Sequence, residues 1–451
     1  MHTTRSLLIC AGAAFFVSTL AGCAAPGHRA AFDPDRNIFI PEAQDLVSTL
    51  RVSAVHDAEH IQIRYEFPTD NPSWYHQYWV YENGSWTRYG SSPAGPEPHG
   101  FYEDRISIAI DAGAIPHYDT YGGFLVTHPG VRSRTDEVSR EQAEAHPHIG
   151  QRLGESDVRK FVSESRTDSP LDSRWSSVRD PAELMDLRRR SVFLDTWQWR
   201  AHRSNPVGYA DNGYVLDYRL SSEGRSMYTT NANNNGDGPA FVFNEQAAGV
   251  RALSNSRLLE RGYSQDDPYY LTEQTARPIS DRDRWNEGDA IPYRLLREPS
   301  GSRGAIKAHG RWEDGAWRVR VTRTLEAPNR LDSHDLVPGS DYTVQFAVHA
   351  GAVGARWHLV SAPISMRVGD GGGGGGATLV ASRVPDGTDL NDAEGVWIEL
   401  PVFYPGQVGA DEIRADSELD AAVRAVAAHP KDDQKVRRLS ELLAAREPVR
   451  R

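Results

Sequence analysis

Cysteine is nearly absent from this chain. Its 451 residues include two cysteines, Cys10 and Cys23, and both lie in the apolar N-terminal segment. If that segment is a secretion signal, Cys10 is removed with it and Cys23 marks the processing site. The mature chain then has no disulfide, no cysteine-ligated zinc or cluster and no thiol nucleophile. Any metal must rely on His, Met or carboxylate side chains or on a macrocycle, and the sequence offers 16 His against four Met.

Excess positive charge and the common catalytic motifs are lacking as well. Lys and Arg number 50 against 62 Asp and Glu, which gives a formal net charge of -12. No nucleic-acid partner is expected, because contacts to a phosphate backbone need a basic stripe. The sequence has no G-x-S-x-G elbow, H-E-x-x-H pair or Walker loop. An enzyme with its own active site is therefore the least favoured class.

One long apolar run stands at the N-terminus. Residues 7–20 are apolar or small, and "LAGC" closes the run at residues 20–23. This is the pattern of a secretory signal, and "LAGC" resembles a bacterial lipobox, in which the chain is cut before a cysteine that receives lipid. We predict a lipoprotein signal at residues 1–22 and a membrane anchor through lipid on Cys23, with ordinary cleavage near Ala24 as the alternative. The expected location is the periplasmic side of the bacterial cell envelope, with the outer membrane favoured.

Alternating apolar and polar residues predict that most of the mature chain is β-sheet. Eleven Trp and 18 Tyr favour wide, flat β surfaces. Residues 50–67 have the pattern of a hairpin that turns near Asp57 and Ala58, and apolar side chains also alternate in "DRISIAID" and "DYTVQFAVH". Short runs of this kind between Gly and Asp turns predict a mainly β fold, an antiparallel β-sandwich, over residues 46–408.

Other segments depart from this pattern. Residues 23–45 are rich in Ala, Pro, Gly and Asp and predict a tether. Residues from about 135 to 190 contain helix-like pieces such as "DPAELMDLRRR", which predict a helical insertion. The glycine run at residues 369–376 predicts a flexible loop. Residues 409–451 predict a short helical tail whose apolar stripe docks on the domain.

Five segments of the chain form an ordered series. The first, residues 99–134, contains "YEDR" followed by "FLVTH", and the second, residues 193–219, contains "DTWQWRAHR" followed by "GYADN". Taken together, the series resembles the haem-binding family related to the γ subunit of ethylbenzene dehydrogenase, over roughly residues 48–408. The segments are residues 99–134, 193–219, 309–325, 338–361 and 400–407.

This resemblance implies a fold, a cofactor and a role. The family fold is a β-sandwich that clasps one haem, and its best-known members pass electrons from a molybdenum dehydrogenase to a later acceptor. The resemblance therefore predicts an electron-transfer subunit or partner rather than a catalytic chain. Its expected partners are a redox enzyme or a cytochrome.

The resemblance also indicates two axial-ligand candidates. His358 stands near the position where relatives carry a Lys or His ligand, and a hydrogen bond between strands is the alternative role. His128 corresponds to the ligand histidine of C-x-x-C-H relatives, but Phe124 and Thr127 occupy the cysteine positions. Phe and Thr form no thioether, so we exclude a c-type haem and predict a non-covalent b-type haem. A packed, non-ligating His128 is the alternative.

Further residues are candidates for the walls of a haem pocket. His349 lies on the strand face opposite to Val344 and Val348. Trp197 and Trp199 point to the same side of one strand, either as a pocket wall or as core. The guanidiniums of Arg200 and Arg356 are candidates for binding the haem propionates, with pairing to a nearby Asp as the alternative.

Two principal hypotheses follow. The first is a lipid-anchored b-type haem protein that carries electrons in the envelope. The second is a haem-free β-sandwich, a binding or scaffold module that kept the family fold after losing the C-x-x-C-H site. A subunit with its own oxidoreductase activity is a third. The visible absorption spectrum of the purified protein separates the first two.

Overall fold

The computed structural model of this chain describes nine segments. They are residues 30–33, 38–41, 46–90, 102–127, 138–168, 174–351, 358–371, 376–406 and 408–446. Several predicted features lie outside the described residues. These features are the signal segment, Cys23, His128, Arg356 and residues 372–375 of the glycine loop.

Strands dominate the described residues. Those before residue 240 are β1 (Ala30–Asp33), β2 (Ile38–Pro41), β3 (Val47–His56), β4 (His60–Pro68), β5 (Tyr78–Glu82), β6 (Ser85–Tyr89), β7 (Arg105–Asp111), β8 (Leu194–Arg200), β9 (Tyr209–Val215), β10 (Arg219–Ser221) and β11 (Tyr228–Thr230). Those after it are β12 (Phe241–Phe243), β13 (Leu253–Ser254), β14 (Leu271–Thr272), β15 (Ala276–Pro278), β16 (Asp289–Pro292), β17 (Arg294–Leu296), β18 (Ile306–Glu313), β19 (Ala316–Thr324), β20 (Asp341–His349), β21 (Leu359–Ser361), β22 (Ile364–Val368), β23 (Leu379–Arg383) and β24 (Ile398–Phe403).

The helices are short and concentrated in two regions. They are α1 (Tyr118–Tyr121), α2 (Gly123–Val126), α3 (Arg140–Ala145), α4 (Pro181–Arg189), α5 (Glu245–Ala248), α6 (Asn255–Leu259), α7 (Ala410–Ala415), α8 (Ser417–Ala428) and α9 (Asp433–Ala445). The start of α4 follows from its sequence, because Asp180 and Glu183 form a capping box around Pro181. Within the described residues, no helix is both long enough and apolar enough to cross a membrane.

Ten strands close into a ring. Neighbours follow the order β3, β23, β22, β20, β7, β8, β9, β18, β19, β4, and β4 pairs again with β3. Adjacent strands are antiparallel except around β23, which runs parallel to β22 and to β3. A second connection, through β21 and β24, joins β20 to β3. We call this body the closed sheet.

The interior of the closed sheet is apolar because strand residues alternate between its two faces. Ile106, Ile108 and Ile110 of β7 point inward, opposite Phe346 and Val344 of β20, and all five are buried. Burial of each such side chain stabilises the fold by about 1.5–3 kcal/mol. The alternate residues of the same strands therefore project from the outer face.

A smaller body, which we call the side lobe, lies beside the closed sheet and comprises residues 74–90 and 226–297. Its sheets pair the β5–β6 hairpin with β13 and β16, β11 with β14 and β17, and β12 with β15. It has an aromatic core of its own, which includes Tyr75, Trp79 and Phe243. Sequence reasoning did not separate this lobe from the main body, since most of its strands have two to five residues and show no long alternation.

Helices cover part of the outer face. The backbone N–H of Gly123 in α2 donates to Oε1 of Gln345 on β20 at 2.7 Å. At the preceding Gly122, φ is +65° and an added Cβ would lie 2.6 Å from Nε2 of Gln345, so glycine permits this close approach. The C-terminal helices add a second contact, in which Oη of Tyr121 donates to Asp420 of α8 at 2.6 Å.

The predicted fold class is confirmed: the chain is mainly antiparallel β with C-terminal helices. The alternation in β4, β7, β19 and β20 identified the inward residues correctly. Val436, Leu439 and Leu443 of α9 are buried in the main core, as expected of a docking stripe.

Asp111, at the end of β7, makes stability depend on pH. Its carboxylate accepts from the backbone N–H groups of Ala114 and Ile115, but burial raises its pKa to about 6. A folded-state pKa above the unfolded value means that the folded chain binds the proton more tightly, so this stabilisation is present at low pH and is lost as pH rises through about 6. In the wild type, this group should lower the free energy of unfolding by about 2–3 kcal/mol between pH 4 and 7, and Asp111→Asn should lack that decrease. Urea unfolding at several pH values, with exposed Asp281→Asn as control, measures it; identical profiles for wild type and Asp111→Asn would contradict the prediction.

Candidate ligand site on the outer face

Three adjacent strands bring charged and nitrogen-bearing side chains to one patch of the outer face. His349 of β20 lies opposite Arg105 of β7, and Arg105 lies opposite Arg200 of β8. Paired residues on neighbouring strands project from the same face, so the three side chains form a row. All three are buried although they point away from the ring interior, because other segments cover them. We call this patch the outer-face site. It comprises Arg105, Arg200 and His349 together with the neighbouring side chains described in the next three paragraphs.

The next row of the site consists of shorter side chains. Ala347 and Ser107 lie opposite each other, with Gln198 beyond them on β8, and the first two are half-buried. Nε2 of Gln198 donates to Oγ of Ser107 at 2.9 Å, and Oε1 of Gln198 accepts from Nη2 of Arg219 at 2.9 Å.

Two histidines stack at one end of the site. The imidazoles of His349 and His358 have centroids 4.9 Å apart and planes inclined by 19°. Burial, followed by the charges of Arg105, His358, Arg219 and Lys160, holds the pKa of His349 well below its ordinary range. His349 is therefore neutral at pH 7, and its Nδ1 has no hydrogen-bond partner among the described residues. His358 is half-buried, which leaves part of its surface within reach of a ligand.

Cations surround this pair. Burial lowers the pKa of Arg105 to about 10, and burial with the charge of Arg219 lowers that of Lys160 to about 7. Nε and Nη2 of Arg105 are buried and lack a hydrogen-bond partner within the described part of the chain. Unpaired cationic N–H groups are costly when buried. The arrangement therefore suits a ligand that brings negative charge.

The sequence model of the ethylbenzene dehydrogenase family matches residues 14–361, more than half of the chain. This chain belongs to the ethylbenzene dehydrogenase family. No curated protein matches it. The matched range contains the outer-face site from Arg105 to His358, whereas β22, β23, β24 and the C-terminal helices lie beyond it.

In this member of the ethylbenzene dehydrogenase family, the predicted tryptophans lie on the other side of the sheet. Trp197 and Trp199 point into the ring and are buried. Nε1 of Trp197 donates to Asp195 at 3.0 Å. Trp199 packs against Gly310, where an added Cβ would lie 2.3 Å from the indole. Both indoles belong to the core, the simpler of the two roles that the sequence allowed, and neither lines the outer-face site.

Arg200 reaches the site but is already partly paired. Its Nη1 donates to Oδ2 of Asp211 at 2.7 Å, a pairing with a nearby Asp of the kind that the sequence left as the alternative. Its Nε is buried without a hydrogen-bond partner among the described residues. Arg200 therefore forms the ion pair that was the alternative role, and its binding of a propionate stays a prediction. His128 and Arg356, the remaining candidates, lie outside the described residues.

Sequence reasoning missed three cations of this family member's site. Arg105 had a local signal, because it occupies an outward position in the strand whose inward residues are isoleucines. No local sequence pattern indicated Lys160 and Arg219, since Lys160 belongs to the helical insertion and Arg219 to the β9–β10 hairpin. Lys160 also lies near the predicted ligand loop, because its Nζ donates to Oγ1 of Thr127 at 3.4 Å.

Proposed function

We propose that this chain binds one non-covalent b-type haem at the outer-face site and transfers electrons in the bacterial cell envelope. The observation that supports this most directly is the stacked pair of His349 and His358 beside Arg105, whose buried N–H groups have no partner among the described residues. Such a site offers a nitrogen donor for iron and cations for carboxylates, which are two of the features that a haem-binding site has.

The histidine pair would hold a haem iron through one imidazole, not two. A metal between two imidazoles needs bonds of about 2 Å on each side, which places the ring centres about 6 Å apart on opposite sides of the metal. The observed centroids are 4.9 Å apart and the rings are stacked. We assign the ligand role to His358, because it is the more exposed ring. His349 lies behind it, neutral and buried, and fixes its orientation.

The second ligand in this proposal is His128. Thr127, the residue before it, accepts from Lys160, which in turn lowers the pKa of His349. These contacts place Thr127, the last described residue before His128, on the same side of the sheet as the histidine pair. Neither Phe124 nor Thr127 has a sulfur atom for a thioether bond, so the haem of the proposal is not covalently attached.

The cations of the site would hold the propionates. Arg105, Arg200 and Arg219 lie along the outer face beside the pair; Arg200 and Arg356 are the two that the sequence proposed. Guanidiniums bind carboxylates through paired, charge-assisted hydrogen bonds. When bound, haem supplies one-electron transfer. The residues themselves orient the ring, compensate its negative charge and limit access of water.

The proposal includes a place in the cell and a partner. A lipid on Cys23 would hold the chain at the periplasmic side of a membrane, and Cys23→Ser should release it from the membrane fraction. A molybdenum oxidoreductase or a cytochrome is the proposed redox partner, in line with the role that the sequence resemblance implies. The family match supports the relation to ethylbenzene dehydrogenase, while haem and electron transfer are our inference.

A haem titration tests the proposal. Mature protein purified from a haem-sufficient host, or supplied with haemin, should show a sharp Soret band at one haem per chain. Exposed His309→Ala is the matched control and should behave as wild type. A colourless protein that takes up no haemin would overturn the proposal and favour the haem-free binding module instead.

A further inference from the structure

A second cluster of polar side chains, which we call the seam pocket, lies where the closed sheet meets the side lobe. Tyr102 and Arg203 come from segments that flank β7 and β8, whereas Tyr228 and Arg294 begin β11 and β17 of the side lobe. The guanidiniums of Arg203 and Arg294 lie 5.3 and 5.7 Å from the ring centre of Tyr228. Arg203 also lies 5.9 Å from the ring of Tyr102.

The pocket borders the outer-face site through two shared arginines. The guanidinium of Arg105 lies 4.9 Å from the ring centre of Tyr102, and that of Arg200 lies 5.8 Å from Tyr228. The faces of both tyrosines are thus covered by cations. Their rings remain half-buried rather than fully enclosed, so a small molecule can reach the cluster.

Positive charge exceeds negative charge among these groups. Two carboxylates, those of Glu103 and Asp211, face four guanidiniums. The guanidiniums are those of Arg105, Arg200, Arg203 and Arg294. Asp211 is also shared with Arg303. The neighbouring His76 and His202 add no charge, because burial holds the pKa of both well below the ordinary range, that of His202 at about 4.

The carboxylate oxygens of Glu103 already accept hydrogen bonds from nearby donors. Glu103 accepts from the backbone N–H groups of His202 and Arg203, each at 2.7 Å, and from Nε of Arg203. Buried donors are nevertheless left over among the described residues: Nε of Arg200 and of Arg294, and two nitrogens of Arg105. A buried cation without its counter-charge costs stability, and a bound anion would remove that cost.

We propose that the seam pocket binds a small dianion through the carboxylates of that ligand, with Arg200, Arg294 and the hydroxyl of Tyr228 as the recognising groups. Two negative charges would offset most of the excess of guanidiniums once Arg303 is counted, and the planar fork of arginine fits a carboxylate. The carboxylates come either from a free dicarboxylate or from the propionates of a haem. The inference goes beyond the proposed function, because it does not require that His358 binds iron.

Calorimetry with succinate tests this on the mature, haem-free protein in phosphate-free buffer. Wild type should bind one succinate per chain. Arg294→Gln and Tyr228→Phe should each weaken binding by about 10- to 100-fold, since each removes a charged or hydroxyl donor. Tyr228→Phe keeps the ring that the arginines pack on, so it preserves the fold even if Arg294→Gln does not. Exposed Arg311→Gln is the control and should bind as wild type.

Haemin separates the two sources of the carboxylates. If prior saturation with haemin abolishes succinate binding and the Tyr228→Phe variant also binds haemin less tightly, the pocket takes the propionates. If succinate still binds to the haemin-saturated protein, the pocket is a separate dianion site. Absence of succinate binding to the haem-free protein, together with unchanged haemin affinity in Arg294→Gln and Tyr228→Phe, overturns the inference. Succinate binding to the haem-free protein is measured independently of the Soret band, so the inference and the proposed function can fail separately.

Discussion

Replacing Arg323 by Met is expected to lower the free energy of unfolding by about 3–5 kcal/mol. Arg323 lies inside the closed sheet and is fully buried with Asp195, to which its Nη1 donates at 2.8 Å. Its Nη2 donates to the carbonyl of His334 at 2.6 Å. Without the guanidinium, Asp195 stays buried as an uncompensated charge whose remaining donors, within the described part of the chain, are Trp197 and the backbone of His334.

Urea unfolding at pH 7 measures this effect. Arg320→Met on the same strand is the control, because Arg320 is exposed and its loss should change stability by at most about 0.5 kcal/mol. Replacing both members of the pair, Arg323 by Met and Asp195 by Leu, should recover only part of the loss, because it removes the unpaired charge but leaves the buried N–H groups of Trp197 and His334 without their acceptor. A loss below about 1 kcal/mol for Arg323→Met would mean that the pair is not isolated from water.

The second large effect is expected at His358. His358→Ala should weaken haemin binding by at least about 100-fold and change the Soret band, since removal of residues that merely support a metal ligand already costs about 10- to 100-fold. His349→Ala should fall within that smaller range, because His349 stacks behind the ligand without touching the iron. Spectral titration with haemin gives both affinities.

Added imidazole sharpens the test of His358. In a ligand role, free imidazole should restore a wild-type-like spectrum to His358→Ala, because it refills the position at the iron. In a structural role it should have no effect. A wild-type spectrum and affinity in His358→Ala without imidazole would remove His358 from the proposal and leave His128 as the ligand to test.

The strands of the main body could be predicted because their pattern is local. The hairpin of β3 and β4 and the inward isoleucines of β7 follow from alternation alone. The short strands of the side lobe could not, since a strand of two to five residues has too few positions to show a period. Alternation placed Trp197 and Trp199 on one face of their strand but did not say whether that face borders a ligand or only other side chains. The structure buries both indoles inside the closed sheet.

By itself, the sequence determined the β class of the chain, the alternation of its longer strands, the shortage of sulfur ligands and the nitrogen donors at positions 349 and 358. Only the tertiary structure decided that Arg105, Arg200 and His349 share one row and that Lys160 and Arg219 face it. The physical reason is register: three strands far apart in the chain meet through backbone hydrogen bonds whose pairing no local pattern encodes. The charge balance of the candidate sites is set by those pairings.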